Sequence, residues 1–334
     1  MFTSFGWASI FAASSTWLVC MLLNSLPATA QKLVQMPLPI PPGCVKVNDT
    51  LFMDETEVQN TIWQNYLFYL KRDSIELDHD PYVAALPDTT VWLKEFGKRI
   101  GAEFMKYYHR SEESMYYPVV GITYEQAVAF CKWRSAMDTQ LFNYQYKKND
   151  KELSEFSSVW VEFHYRLPTE EEWETACISN NVSKAGYYGF GNAFGEFPKA
   201  RHIKMALDTI VKSKSLNKDI QDFYSMYPHL LLANVKPEVI PYFIAKRKLP
   251  RFTENVYYYP PNELGLYGMT GNVAELINPK GSTKGGSWAD PLSRCRYEIT
   301  GISNGASTRI GFRCVCNIKI YDAEPRQKFW QPKP

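Results

Sequence analysis

The side chains in this 334-residue chain best suited to redox, nucleophilic or metal chemistry are seven cysteines and five histidines. Cys20 lies in an apolar leader, which leaves Cys44, Cys131, Cys177, Cys295, Cys314 and Cys316. None of these forms a Cys-x-x-Cys pair, so neither a zinc ribbon nor a thioredoxin-like redox site is expected. His79, His109, His164, His202 and His229 are scattered, without paired ligand spacing on a predicted helix. A lone histidine is more often a core or surface residue than a ligand, so a histidine-held iron site is not expected either. In an oxidising compartment the thiols become disulfide candidates, and sequence arithmetic leaves their pairing open.

The compartment is read from the N-terminus. The first 30 residues carry no charged side chain, Phe5 to Leu26 is almost wholly apolar or small, and Ala28-Thr-Ala30 fits a small-x-small cleavage site. Residues 1–30 are therefore read as a signal peptide, with a retained membrane anchor as the alternative. Cys20 follows the bulky Val19, which is wrong for lipid attachment. No other stretch is long and apolar enough to span a bilayer. The net charge of +2 and the lack of a long basic run argue against nucleic acid as a partner. Aromatic residues make up 15% of the chain, a content that suits irregular, loop-rich packing or recognition.

The elements that must position these residues follow from pattern. Residues 31–43 are Pro-rich and extended. Lys46 to Asp54 alternates like a strand. Trp63, Tyr66, Leu67 and Leu70 lie at helical spacing after Asn60. Residues 73–115 show no clear period and are read as loops around one short helix. Tyr117 to Val120 reads as a short strand. Thr123 caps a helix from Tyr124 to Ala136, and Thr169 caps another that opens with Glu170, Glu171 and Glu172. Residues 193–255 differ in pattern and are read as a helical insertion packed on the main domain. Residues 320–334 read as a tail.

Six blocks then stand in order. They are Phe52-x-Asp54-x-x-Glu57-Val58-x-Asn60; Tyr117-Pro-Val-Val with Ala127 to Trp133; Arg166-Leu-Pro-Thr-Glu-Glu-Glu-Trp-Glu174; Pro261 through Gly265-Leu-Tyr-Gly-Met-Thr-Gly-Asn-Val-Ala-Glu275; Lys284-Gly-Gly-Ser-Trp288; and Gly311-Phe-Arg-Cys314. Together they resemble the formylglycine-generating enzyme, or sulfatase-modifying factor, family, over roughly Pro41 to Val315 apart from the insertion. Bottom-up, Arg166 and the carboxylates beside it suit charge-assisted hydrogen bonds between loops, and Gly285 and Gly286 suit close backbone approaches.

The resemblance implies an α+β domain spanning 31–319, distantly like C-type lectins, with a small antiparallel sheet, flanking helices and long loops. The family's reaction uses two thiolates that bind Cu(I) and activate oxygen. Their positions here are Asp290 and Cys295, and a hard carboxylate oxygen matches Cu(I) poorly. Copper is therefore not expected, and catalysis through Cys295 with Ser287 is expected only if the chain is active. The resemblance also implies calcium at Asn272 and Glu275, although Ala274 and Leu276 stand where the family has tryptophans that line its substrate groove. It further implies a Cys131–Cys314 disulfide, which would close a loop of about 180 residues, worth roughly 5 kcal/mol in the chain-entropy model. Cys177 is either free or paired with Cys295; Cys44 and Cys316 stay unassigned. The expected role is that of an exported, periplasmic or cell-surface protein binding partners in a bacterial envelope assembly. It resembles the gliding-motility and type IX secretion lipoproteins of the family. The alternatives are an active oxidase and a glycan or peptide binder.

Overall fold

A computed structural model describes residues 32–73, 80–179, 187–190, 232–236 and 252–324. The expected signal peptide, His79, His202, His229, most of the insertion and the chain end beyond 324 lie outside the described residues.

Among the described residues two small sheets organise the domain. In chain order the strands are β1 (Cys44–Lys46), β2 (Phe52–Asp54), β3 (Trp160–Arg166), β4 (Ala274–Ile277), β5 (Ser282–Lys284), β6 (Gly301–Ile302), β7 (Ile310–Gly311) and β8 (Val315–Tyr321). The first sheet runs β1-β2-β8-β3, so the last strand lies between one of the first strands and a middle one and closes the domain. Its pairs are antiparallel, with Phe52 opposite Cys316 and Tyr165 opposite Cys316 on the other side. The second sheet runs β6-β5-β4-β7, where only the β4–β7 pair is parallel. The observed class is the expected one, mixed helix and sheet with small, mainly antiparallel sheets.

Helices α1 (Asn60–Asp73), α2 (Pro81–Ala85), α3 (Val91–Tyr107), α4 (Tyr124–Leu141) and α5 (Glu170–Cys177) flank these sheets. Both expected caps form as complete capping boxes, Thr123 with Gln126 and Thr169 with Glu172. The stripe on α1 buries Trp63, Tyr66 and Leu67 against Phe130 and Cys131 of α4, Phe163 of β3 and Phe312. Trp63 and Phe130 stack at 5.5 Å between centroids, and Phe312 meets both edge-on.

Several local expectations are corrected. Lys46 to Asp54 is a hairpin, not one strand: the Asn48 side chain accepts N–H bonds from Thr50 and Leu51 and turns the chain between β1 and β2. Pro118, which has no N–H to donate, makes only an isolated bridge with Gln59. Residues 73–115 hold the 17-residue α3, broken at Gly97, whose φ is +71°. The break lets Gly101 approach the Trp92 carbonyl, where a Cβ would lie 2.4 Å from the oxygen. The missed signal is the aromatic spacing Trp92, Phe96, Phe104 and Tyr108, where the last three rings pack around Trp92. β8 continues to Tyr321, into the stretch expected to be tail, because Ile320 is a core residue.

Candidate functional site

The Gly-Asn turn and the Gly-Gly turn assemble the site. Gly271 and Asn272 both take left-handed backbone, with φ of +77° and +59°. Gly285 and Gly286 do the same at +83° and +65°. The two turns are joined by Gly271 N–H donating to the Gly285 carbonyl at 2.9 Å, and by Trp288 N–H donating to the Asn272 carbonyl at 2.9 Å. Lys284, just before the second turn, is fully buried. Its Nζ donates to Glu174 at 2.5 Å and to Glu170 at 3.2 Å, which fastens β5 to one face of α5.

Beyond that turn the Ser287 backbone N–H and Oγ–H both donate to Asp290 Oδ2, at 2.9 and 2.5 Å. The hydroxyl of Ser287 is therefore committed to the carboxylate that stands at the first thiolate position. Cys295 is buried, its Sγ facing the Pro291 carbonyl at 3.6 Å. Burial, and then the Asp290 charge, push its thiol up to about 12, so at neutral pH it holds its proton. Gly286 packs directly on it: a Cβ there would lie 2.4 Å from the Cys295 sulfur. Cys177 packs elsewhere, its Sγ against the Met269 carbonyl and Gly189. The two sulfurs have different neighbours, and the Cys177–Cys295 alternative remains an expectation.

The structure brings Asn272 and Glu275 into one polar core that sequence reading divided among separate blocks. Arg313 places Nε and Nη2 on the two oxygens of Glu275, at 2.8 and 2.6 Å, and Trp173 Nε1 donates to Glu275 at 2.7 Å. Asn272 Nδ2 donates to Glu57 at 2.9 Å, while its Oδ1 accepts from the Glu254 backbone N–H at 2.8 Å. Glu57, Glu275 and Arg313 are all fully buried, two carboxylates to one guanidinium. Burial raises the Glu57 carboxyl to about 8; Arg313 opposes that shift and Glu275 adds to it.

These geometries test the two expected metals. A two-thiolate Cu(I) site does not fit Asp290 and Cys295, since one is an oxygen donor already engaged and the other a buried, protonated thiol. Calcium does not fit Asn272 and Glu275 either, because a guanidinium occupies both Glu275 oxygens and the Asn272 carbonyl oxygen accepts a backbone N–H. Among the described residues no group of three or more His, Cys, Asp or Glu side chains is placed to hold a metal. His109 is buried against Asn60 at 2.9 Å, and burial lowers it to about 4. Ala274 and Leu276 belong to the hydrophobic core. Cys131 and Cys314 meet inside that core with their sulfurs 3.5 Å apart, and the expected bond between them remains an expectation.

A feature absent from the sequence reading of the site is the short segment 232–236, which with 252–255 makes up the described part of the expected insertion. Asn234 bridges to Gly271, and Lys236 to Pro291, both in parallel sense. The Asn234 carbonyl accepts from Asn272 N–H at 2.8 Å, and Lys236 N–H donates to the Asp290 carbonyl at 2.8 Å. Ala233 and Val235 are buried. This segment packs across the Asn272 and Asp290 loops. Gly271→Ala is expected to displace it, since a Cβ would lie 2.3 Å from the Asn234 carbonyl oxygen. Left-handed strain adds about 1–2 kcal/mol to that clash. The check is thermolysin cleavage before Val235, read by peptide mapping, which should become markedly faster than in the unaltered protein.

A loop-rich α+β domain, with two glycine-turned loops locked by a buried carboxylate–guanidinium core, is what fold and site define. The chain belongs to the sulfatase-modifying factor enzyme 1-like domain family, whose family model matches residues 28–318. It is similar to the formylglycine-generating enzymes of Mus musculus, 24% identical over 235 residues, and Bos taurus, 24% identical over 227. Those matches take in 63% and 60% of this chain but only 45% and 44% of the relatives, so the chain spans less than half of their length. Among solved structures, Treponema denticola variable protein 1 aligns at a TM-score of 0.40 and 14% identity, covering 86% of this chain and 99% of that one. PvdO from Pseudomonas aeruginosa aligns at 0.41 and 17%, covering 80% of each.

Proposed function

We propose that this chain is a formylglycine-generating-enzyme-like protein that has lost the copper oxidase chemistry and works by binding a protein partner. The observation that carries this reading is the Ser287–Asp290–Cys295 arrangement, in which the carboxylate at the first thiolate position holds the serine hydroxyl at 2.5 Å. The remaining thiol is buried under Gly286 and keeps its proton. We place the protein outside the cytoplasm, exported by its N-terminal apolar segment, in a bacterial envelope assembly of the gliding-motility or type IX secretion kind. The leader and the six blocks support that setting.

Copper titration of the purified protein tests the chemistry. The expected result is no stoichiometric Cu(I) uptake, no oxygen consumption with a cysteine-containing peptide, and a Cys295 that resists thiol reagents until the protein is unfolded. Stoichiometric Cu(I) binding that disappears in Cys295→Ala would restore the oxidase and end this reading. Cell fractionation tests the location, and a wholly cytoplasmic protein would end the envelope assignment.

A further inference from the structure

We propose that the face made by Tyr116, Tyr257 and Tyr258, rimmed by Glu55, Glu113 and Glu254, docks an extended partner segment through its lysine or arginine side chains. The proposal rests on the partner-binding reading above and gives the partner a chemistry.

Three separate stretches build this face. Val256 N–H donates to the Tyr116 carbonyl at 3.0 Å, and Tyr267 N–H donates to the Glu55 carbonyl at 2.8 Å. The Tyr257 ring meets Tyr267 edge-on at 5.1 Å, and Tyr117 stacks on Phe252 at 6.0 Å. Tyr267, Tyr117 and Phe252 are partly buried, and Tyr267 braces Tyr257 from behind. Tyr116, Tyr257 and Tyr258 are 45%, 45% and 52% exposed. Three large exposed aromatic rings on neighbouring stretches mark a recognition surface more readily than scattered exposed residues do. Rings that are braced from behind lose little entropy on binding, which suits tyrosine as an anchor.

Charge selects the occupant. Apart from the buried Glu57 and the buried Asp54, which is paired with Arg134, the stretches 52–60, 111–118 and 252–268 carry Glu55, Glu112, Glu113, Glu254 and Glu263, and no Lys, Arg or His. The chain as a whole carries a net charge of +2. Glu254 accepts the Asn255 N–H at 2.9 Å, at the start of the stretch that carries Tyr257 and Tyr258. Burial, then Glu254 and Glu113, push the Tyr117 phenol up, as burial and then Glu55 do for Tyr257. Electron-rich ring faces beside carboxylates attract an ammonium or guanidinium group and repel an anion. A neutral sugar would use the same rings but would draw nothing from the concentrated negative charge.

The test uses the full mature protein and a fluorescein-labelled twelve-residue peptide of alternating lysine and serine, read by anisotropy at low salt. Saturable binding is expected. Tyr257→Ala/Tyr258→Ala and Glu113→Gln/Glu254→Gln should each weaken it by about tenfold or more. Added salt should weaken it as well. Glu125→Gln, which removes a carboxylate paired with Lys280 elsewhere, should leave it unchanged. Circular dichroism and thermal melting confirm that the variants stay folded, and all the substituted side chains except Glu254 are exposed.

Equal binding of a glutamine-for-lysine peptide would overturn the proposal, as would binding that survives both double variants. Saturable binding of neutral oligosaccharides in place of the lysine peptide would overturn it too. The chain's own Lys246-Arg247-Lys248 run, outside the described residues, is the competing occupant. If replacing that run with serine tightens peptide binding by more than about tenfold, the face belongs to the run and the partner proposal falls. Failure of any of these arms leaves the copper and thiol results untouched, so the two readings stand or fall separately.

Discussion

Arg313→Met is expected to cost the protein about 3–5 kcal/mol, a large part of the stability of an ordinary domain. Arg313 is fully buried and joins three distant parts of the chain. Its fork holds Glu275, Nη1 donates to the Asp54 carbonyl at 3.1 Å, and Nη2 also donates to the Tyr267 carbonyl at 2.6 Å. Glu57 lies 4.0 Å from Nη2. Methionine would fill most of the volume but would strand the Glu275 charge without its cation and leave buried carbonyls without donors. Urea denaturation followed by tryptophan fluorescence measures the loss. Adding Glu275→Leu to Arg313→Met should recover part of it, because removing a whole buried pair costs less than removing one member. An Arg313→Met protein with an unchanged midpoint would show that this core does not hold the fold together.

Raising the pH from about 5 to about 8 is expected to weaken the folded state by a few kcal/mol through Glu57. In the unfolded chain its carboxyl ionises near the ordinary value of 4.5, whereas in the folded protein burial holds the proton to about 8. Between those values the folded state binds more protons than the unfolded state, so stability falls as pH rises and levels off above about 8. Below about 4.5 both states hold the proton and the effect vanishes. The groups facing Glu57 set the size of the effect: Arg313 favours ionisation, Glu275 opposes it, and Asn272 donates to one oxygen while the other has no hydrogen-bond partner. Glu57→Gln keeps a neutral side chain of the same shape and should flatten this dependence, making the variant the more stable protein at pH 8. Urea midpoints across the range decide it, and parallel slopes in the two proteins would rule it out.

Arg166 shows how much of this could be read in advance. Its type and the carboxylates beside it suited charge-assisted hydrogen bonds between loops. The structure makes the bonds, but as a fork at 2.7 and 2.6 Å from Arg166 to Glu172, tying the end of β3 to the first turn of α5. Thr123 and Thr169 likewise act within a few residues of themselves. The substitution at Asp290 was legible because it is a change of chemical type within an ordered block. Glu57, Arg313 and Trp173 stood inside recognised blocks but carried no sign of one another. Their pairing joins residues far apart in sequence, and nothing in local spacing reports a contact made by the fold.

Caps, turns, amphipathic stripes and the identity of the side chain at each site position are properties of short segments, and the amino-acid order alone establishes them here. Packing determines whether those side chains can act. Burial under Gly286 keeps the Cys295 thiol protonated, and the bidentate grip of Arg313 turns Glu275 from a candidate calcium ligand into half of an ion pair. The 232–236 segment crosses both loops although its own residues carry no signal for that position. Solvation and charge pairing depend on every neighbour in three dimensions, so they emerge only when distant segments meet.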